Sequence, residues 1–581
     1  MKKLSFFKKI LYLLSEDAKK IPLLIIFVLM LSVIDLVGIS LVGPYLSIIL
    51  QPETLTQNYE SFGFILEKFE SVESVVIFLG LLLIAVFAIK TVGGILLNRV
   101  ILIFCYSQGL KLRTYLMSAY QNLSYEEFLN RNSSEYIFNM QVLTEQYFKQ
   151  ILQSMLRIGS ESIVITLISI LLIWTDPLAF FALFLLMVTS LLIYDSIFAT
   201  KLTSYGKLSN ESSVQLTRGI REGMMGIKEI RILSKENYFY DLLKTGAEGY
   251  RAVNVKHQVI AAAPRYFLEL IAISFIVSIT AINLFFGKDL NDLLPVLGMF
   301  GVASIRILPS INQIVSGLVQ IRYGNNAIDI LYNDFKKLAD SPKYFASIAN
   351  KDDSEPYFDS FNSIRMESVS FKYKNSESPT ISNLSLSVQK GDSIGIVGAS
   401  GAGKTTLIDI FLGLLQPDSG EIFYNNKSIV GQESIWMSKV AYIPQQVLLL
   451  DDSLANNITL TAKKDHIDEK KLMSAIKKAR LNDLVKQLPD GINTKLGDNG
   501  SRISGGQKQR VALARAFYHD REVLVMDEST SSLDKDTERE IVNEIKRLKG
   551  SVTMIIISHN METIENCNKV YEIQKEGIKL L

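Results

Sequence analysis

The stretch SIGIVGASGAGKTTLIDIFLGLL, Ser393 to Leu415, decides the fold of the C-terminal half of the chain. It begins as a short buried strand, SIGIVG, and ends as a helix, LIDIFLGLL. Between them GASGAGKT, Gly398 to Thr405, matches G-x-x-x-x-G-K-[ST] in the strand–loop–helix context that this pattern requires. Glycines let such a loop bend around phosphate oxygens, so that its N–H groups and the helix N-terminus face the anion. The stretch therefore predicts an α/β domain that binds a nucleotide.

Two side chains of this loop have predicted roles in phosphate binding. Lys404 should reach the β- and γ-phosphates, and Thr405 should ligate Mg²⁺. The loop residues predicted to contact ATP are Gly398, Ala399, Ser400, Gly401, Ala402, Gly403, Lys404, Thr405 and Thr406.

A second buried strand, EVLVMDE, ends in Asp527 and Glu528. A carboxylate at a strand end beside a phosphate loop suits Mg²⁺, and an adjacent one can activate water. Asp527 is therefore a predicted metal ligand and Glu528 a predicted general base. Two solvated acids at a strand terminus would be a reasonable interpretation in isolation, but not beside a phosphate loop.

Between these motifs lies RISGGQKQRVALARA, in which Ser504, Gly505, Gly506 and Gln507 open a helix. A helix start of this kind is a second anion-binding element. The set resembles the ATP-binding cassette (ABC) family, whose ISGGQ-like signature lies on the nucleotide of the partner cassette. The resemblance covers the whole C-terminal half.

The resemblance implies roles for four further residues. Tyr373, in FKY, would stack on adenine, and Gln445, in YIPQQ, would link Mg²⁺ and water to the membrane half. Asp534, in SSLD, would lie at the dimer seam, and His559, in IISHN, would hold the γ-phosphate. All site residues are present in one chain, so a homodimer with two equivalent ATP sites is the expected assembly.

The N-terminal half is far more apolar than the C-terminal half. Of the 581 residues 48% are hydrophobic, and the net charge of +2 neither favours nor excludes nucleic acid, which is not an expected partner. Six stretches reach the roughly 20 apolar residues that a spanning helix needs. They are Ile21–Leu50, Ser74–Tyr106, Gln153–Trp174, Pro177–Thr200, Gln258–Gly287 and Leu293–Tyr323. The long basic connections and the lysine-rich N-terminus predict that both termini are cytoplasmic.

The predicted fold is an all-α six-helix transmembrane domain followed by an α/β P-loop ATP-binding cassette domain. Residues 1–20 are expected to form an amphipathic interfacial helix and residues 21–324 the spans with long cytoplasmic extensions. Residues 325–359 would be a linker and residues 360–581 the nucleotide-binding domain. The turns at 131–138 and 225–232 are candidates for contact with that domain.

Three of the cations inside the predicted spans are Lys90, Arg265 and Arg306. Intramembrane ionisable residues usually face a bundle interior or water and mark a substrate path. One interpretation places the three in a shared cavity that holds an anionic cargo such as a pyrophosphate. The other makes them structural pairs, with Asp35 on Lys90 and Glu269 four residues after Arg265.

Parts of the spans, SLVGPYLSIIL, AAAPRYFLEL and SIRILPSINQIV, are similar to bacterial lipid-linked oligosaccharide flippases of the ABC class. That resemblance implies an ATPase coupled to translocation of a polyprenyl-pyrophosphate-linked glycan, with membrane lipid and a second copy of the chain as partners. A multidrug or peptide exporter is the alternative within the architecture, and an ATP-gated regulator or channel the alternative outside it.

Overall fold

The computed structural model describes most of the chain. The described residues are 2–50, 72–175, 177–285, 290–340, 360–374, 376–461, 467–527, 539, 542–543, 546–558, 561–574 and 577–581. They divide into two compact units. The helical unit comprises Met1–Gln121 and Arg131–Ser341, and the sheet unit comprises Asn122–Asn130 and Pro342–Leu581.

The described residues of the helical unit are mostly long helices. Its helices are α1 (Lys2–Leu14), α2 (Ile21–Leu50), α3 (Val72–Gln121), α5 (Ser133–Phe138), α6 (Gln153–Thr175), α7 (Pro177–Met225), α8 (Ile227–Ile232), α9 (Glu236–Phe285), α10 (Leu290–Tyr323) and α11 (Asn325–Asp340). Two π-helical segments, Asn139–Leu143 and Gln146–Leu152, lead into α6. The helix α4 (Tyr125–Leu129) interrupts this series, because it belongs to the sheet unit.

Among the described residues, five helical stretches are long and apolar enough to cross a membrane. They are Phe6–Val42, Glu73–Gln121, Ser133–Trp174, Phe180–Met225 and Glu236–Ser278. The sixth predicted span forms α10, which is not among these five. Large aliphatic side chains such as Ile84 and Leu185 point outward on the spans, as expected of surfaces that face lipid. The chain is therefore built as a multi-pass membrane protein.

One of the apolar clusters among the described helices joins most of the spans. Its buried side chains come from α2, α6, α7, α9 and α10, and include Ile39, Ile168, Met187, Phe275 and Ile307. Tight side-chain packing of this kind is the main attraction between helices in lipid, since lipid tails are as apolar as the side chains themselves.

Part of the apolar face of the N-terminal helix α1 is buried inside the protein. Ile10, Leu13 and Leu14 are buried, and Lys9 forms an ion pair with Asp329 of α11 at 2.6 Å. The helix α11 occupies residues that the sequence assigned to a linker; of that linker, residues 341–359 lie outside the described residues.

The sheet unit contains two sheets with helices packed on them. The strands are β1 (Ser363–Phe371), β2 (Ile381–Gln389), β3 (Ser393–Val397), β4 (Ser419–Tyr424), β5 (Lys427–Ser428), β6 (Val440–Ile443), β7 (Val523–Asp527), β8 (Thr553–Ile557), β9 (Lys569–Gln574) and β10 (Gly577–Leu580). The helices are α12 (Lys404–Phe411), α13 (Glu433–Met437), α14 (Leu454–Thr459), α15 (Glu469–Lys478), α16 (Asn482–Gln487), α17 (Gly505–Tyr518) and α18 (Met561–Ile564).

Strand order explains how the second unit holds its motifs. The smaller sheet is antiparallel, in the order β2-β1-β4-β5, and the larger follows β10-β9-β3-β8-β7-β6. In the larger sheet β9, β3, β8, β7 and β6 run parallel to one another, whereas β10 pairs antiparallel with β9. Burial on both faces fits their Val- and Ile-rich sequences, such as TMIII in β8. Trp436 is fully buried in the core and donates from its indole nitrogen to the Phe411 carbonyl at 2.6 Å.

Candidate functional site

Four predicted motifs follow neighbouring parallel strands of the larger sheet. The phosphate loop begins after β3, Asp527 ends β7, and Gln445 lies two residues after β6. The strand between β3 and β7 is β8, which leads towards His559. Because the carboxyl ends of parallel strands meet at one edge, the phosphate loop, Asp527 and Gln445 share that edge although they are far apart in the sequence.

The backbone of the phosphate loop requires glycine at two positions. Gly401 and Gly403 have φ values of +79° and +93°, in the left-handed region. A Cβ on Gly403 would lie 3.0 Å from the Ile381 side chain and 3.1 Å from the Thr380 carbonyl oxygen. A Cβ on Gly401 would meet nothing within 4 Å. Gly403 precedes α12, whose N-terminal N–H groups are available to an anion.

Lys404 bends back onto its own loop. Its ammonium donates to the carbonyls of Gly398 at 2.9 Å and Ala399 at 3.2 Å. The cation is therefore held at the loop whose amides would surround a phosphate. This geometry fits the anion that the sequence predicts for the loop.

Tyr373, the residue expected beside adenine, lies next to this loop. Its hydroxyl is 3.3 Å from the Thr406 hydroxyl, and its ring packs edge-on against Phe371 at 4.9 Å. The side chain is half-buried, so part of the ring remains accessible. Stacking on adenine stays a prediction.

Negative charge accumulates next to the loop. Asp409 of α12 is 9% exposed, and burial together with nearby Asp527 raises the pKa of its carboxyl to about 6. The Tyr442 hydroxyl donates to Asp527 at 3.0 Å. Burial and the Asp527 charge raise the pKa of Tyr442 well above its usual value, which keeps the hydroxyl protonated. A divalent cation ligated by Thr405 and Asp527 would relieve this charge, so the donors fit Mg²⁺.

Asparagine in place of Asp409 is expected to stabilise the sheet unit at pH 7.5 by about 1–2 kcal/mol. The folded chain holds the Asp409 proton more tightly than the unfolded chain does. The stabilisation from protonation is therefore complete below about pH 4 and is lost as the pH rises through about 6. The advantage of D409N should shrink as the pH falls through this window.

Tryptophan fluorescence can measure this effect. The chain has two tryptophans, so a W174F background leaves only buried Trp436, which reports urea unfolding of the sheet unit. D483N is the control, because Asp483 is 89% exposed. Equal urea midpoints for D409N and D483N between pH 5 and pH 7.5 would contradict the prediction.

The signature residues form a capping box at the start of α17. The Ser504 hydroxyl accepts from the Gln507 N–H at 3.3 Å, and the Gln507 side chain accepts from the Ser504 N–H at 2.9 Å. Ser504 and Gly505 are exposed, whereas Gly506 is buried. The signature thus combines a rigid helix start with an accessible face.

Three predicted site residues, Glu528, Asp534 and His559, lie outside the described residues. Their roles stay predictions. The sequence did not single out Asp409 and Tyr442, because their significance depends on burial and on a carboxylate from another strand.

The helical unit holds a polar cavity of about 290 Å³. Lys90 and Arg306 both line it and share one carboxylate, Asp35, at 2.5 and 2.6 Å. Arg306 also lies 3.5 Å from Glu161. The two cations therefore share a cavity, as the cargo interpretation required, and they are also paired, as the structural interpretation required.

A third cation in this cavity is Arg157 of α6. It donates to Asn98 at 3.2 Å, and no described carboxylate lies within ion-pair distance of it. The described residues that line the cavity include three cations and two carboxylates. The sequence search missed Arg157, although it lies within the third predicted span, where a cation is costly.

Arg265 is not a lining residue of this cavity. It pairs with Glu269 at 2.9 Å, one helical turn away, and its side chain is 68% exposed. The expectation that Lys90, Arg265 and Arg306 converge is therefore corrected: the i,i+4 pair accounts for Arg265, and Arg157 takes its place in the cavity.

Part of the chain matches a family model, and longer stretches match individual known proteins. Residues 381–531 match the family model described as ABC transporter. An ATP-dependent lipid A-core flippase 2 of Colwellia psychrerythraea is 30% identical over 374 residues, which are 64% of this chain and 62% of that protein. An ATP-dependent lipid A-core flippase of Pasteurella multocida is 36% identical over 217 residues, 37% of each protein. This chain thus spans less than two thirds of the length of these relatives.

A solved structure has the same overall architecture. A bacterial Atm1-family ABC exporter with ATP bound superposes with a TM-score of 0.73 over 97% of this chain and 95% of that one, at 18% identity. At this identity the similarity establishes the fold, which includes both the helical and the sheet unit.

Proposed function

We propose that this chain, which carries an ABC transporter domain and has the fold of an ABC exporter, is an ATP-driven half-transporter that moves an anionic lipid across the bacterial inner membrane. The observation that carries the cargo class is the Arg157 guanidinium, which faces a cavity among the spans without a carboxylate partner in the described ranges. A charged group in such a place is costly unless a ligand uses it.

The finer proposal is a polyprenyl-pyrophosphate-linked oligosaccharide. A pyrophosphate carries several acceptor oxygens, and the planar guanidinium of an arginine can donate hydrogen bonds to two of them at once. Asn98, Ser160 and Gln313 also line the cavity and can bond to phosphate or sugar oxygens. The relatives named lipid A-core flippases support a lipid cargo and make a lipid A-core glycolipid the second candidate.

The proposed chemistry is ATP hydrolysis at two sites of a homodimer. Lys404 and the loop amides would bind the phosphates, with the Ser504–Gln507 signature of the second copy on the other side. Mg²⁺ held by Thr405 and Asp527, with Gln445 nearby, would neutralise charge on the β- and γ-phosphates. Glu528 would take the proton of the attacking water, and His559 would hold the γ-phosphate.

Reconstituted vesicles distinguish the candidate cargoes. The chain is assayed for ATP hydrolysis with a polyprenyl-pyrophosphate glycan, a lipid A-core glycolipid, a neutral glycolipid or a cationic drug. Stimulation by the two anionic lipids alone would support the proposal. Stimulation by the drug alone would favour a drug exporter, and hydrolysis without any transport would favour a regulator or channel.

Glutamine in place of Arg157 is expected to raise the half-stimulating concentration of the anionic lipid roughly 10- to 100-fold. This range corresponds to the loss of one charge-assisted hydrogen bond of about 1.5–3 kcal/mol. Hydrolysis is measured as the lipid is titrated. R265Q is the matched control, because Arg265 is exposed and paired with Glu269. A response of R157Q equal to that of R265Q would remove Arg157 from the cargo site.

A further inference from the structure

Asp334 of α11 is a buried carboxylate with three donors from separate parts of the chain. It is 5% exposed. One oxygen accepts from the Tyr120 hydroxyl at 2.8 Å and the Asn139 amide at 2.9 Å, and the other from the Arg131 guanidinium at 2.9 Å. A buried charge this well bonded is expensive to disrupt, because loss of a partner leaves the charge uncompensated.

Two of these donors, Tyr120 and Arg131, lie at places where the chain passes between the two units. Tyr120 is in the last turn of α3, just before the sheet unit takes up Asn122–Asn130. Arg131 is the first residue after that segment. Asp334 itself precedes the final passage, which the chain makes after α11. One carboxylate therefore ties together the flanks of all three passages.

The segment between Tyr120 and Arg131 packs within the sheet unit. The Tyr125 ring packs against the core cluster formed by residues of the strands and of α12. Glu126 forms an ion pair with Lys374 at 3.5 Å, next to Tyr373. Burial and nearby Asp409 raise the pKa of Tyr125. The segment thus contacts residues adjacent to the phosphate loop.

We propose that Asp334 is a positioning residue that transmits nucleotide-dependent movement from the sheet unit to the spans. With Asp334 bonded, the end of α3, the start of the 131–138 segment and α11 move together. Without the carboxylate, these three parts can move independently, and a movement of the sheet unit is not passed on to the spans. The inference depends on nucleotide binding by the sheet unit and is independent of the cargo.

Hydrogen–deuterium exchange of the full-length chain in lipid nanodiscs tests this proposal, with AMP-PNP and Mg²⁺ as the probe. In the wild type, nucleotide should alter exchange both in the phosphate loop and α12 and in the cytoplasmic halves of α3 and α10. In D334N the loop response should persist, while the response of α3 and α10 falls to about half or less.

D329N is the matched control. Asp329 lies on the same helix and its substitution removes the same charge, but its partner is Lys9. It should retain both responses. Y120F covers the case in which D334N does not fold, since it removes one hydrogen bond and keeps the ring packed on Tyr136 at 4.6 Å. It should reduce the response of α3 and α10 in the same direction.

Three results would overturn the proposal. The first is a response of α3 and α10 in D334N, or in Y120F where D334N does not fold, as large as that of D329N. The second is loss of the loop response as well, which would assign the residue to nucleotide binding. The third is a wild-type chain in which AMP-PNP leaves the exchange of α3 and α10 unchanged. Because no cargo is present, a wrong cargo assignment leaves all three results unaffected.

Discussion

Glutamine in place of Glu528 is expected to lower ATP hydrolysis by at least about 100-fold and to leave ATP binding within a few-fold of wild type. General-base catalysis contributes roughly 10²- to 10⁴-fold, and an amide cannot take the proton of water. The amide also removes one negative charge next to Asp527 in the sequence, so phosphate binding should not weaken.

Steady-state hydrolysis and titration with a fluorescent ATP analogue separate the two effects. E421Q is the control, because Glu421 is an exposed residue of β4 in the antiparallel sheet. It should hydrolyse ATP at the wild-type rate. Continued turnover by E528Q at that rate would show that another group activates the water.

Alanine in place of Gly403 is expected to abolish measurable nucleotide binding. Two effects add: the left-handed conformation costs an L-residue about 1–2 kcal/mol, and the new Cβ would press on the Ile381 side chain and the Thr380 carbonyl. G401A carries only the conformational cost, since its Cβ has no neighbour within 4 Å. It should weaken binding roughly 5- to 30-fold.

Nucleotide titration of the two variants measures this difference, and Trp436 fluorescence verifies that the sheet unit is folded. A loss in G403A no larger than that in G401A would show that crowding at Ile381 and Thr380 plays no part. The loop would then be flexible enough to shift away from both groups.

The sequence predicted those parts of the site that depend on residues close together in the chain. Strand, glycine loop and Lys404 form one continuous motif, and the Ser504–Gln507 pattern is also local. Their chemistry follows from spacing alone. The shared sheet edge depends on strand order, which places β8 between β3 and β7.

The residues that sequence reasoning missed act through distant neighbours. Asp334 has ordinary surroundings in the sequence, and Arg157 lies near the start of a predicted span, but the partners that give each its proposed role are distant in the sequence. Arg265 is the opposite case. It lies in an apolar stretch like Lys90, but its carboxylate partner is one turn away on the same helix, and it lies apart from the cavity.

The shared carboxylate of Asp35 has a consequence for the rate at which cargo leaves. Lys90 and Arg306 are both partly neutralised by it, so the cavity presents one unmatched cation rather than three among its described residues. A transporter must release its substrate on every cycle, and each further unpaired cation in the cavity would slow dissociation of an anionic substrate. If the cavity holds an anionic cargo, as proposed, Asp35 would limit the affinity of the cavity to a range compatible with turnover.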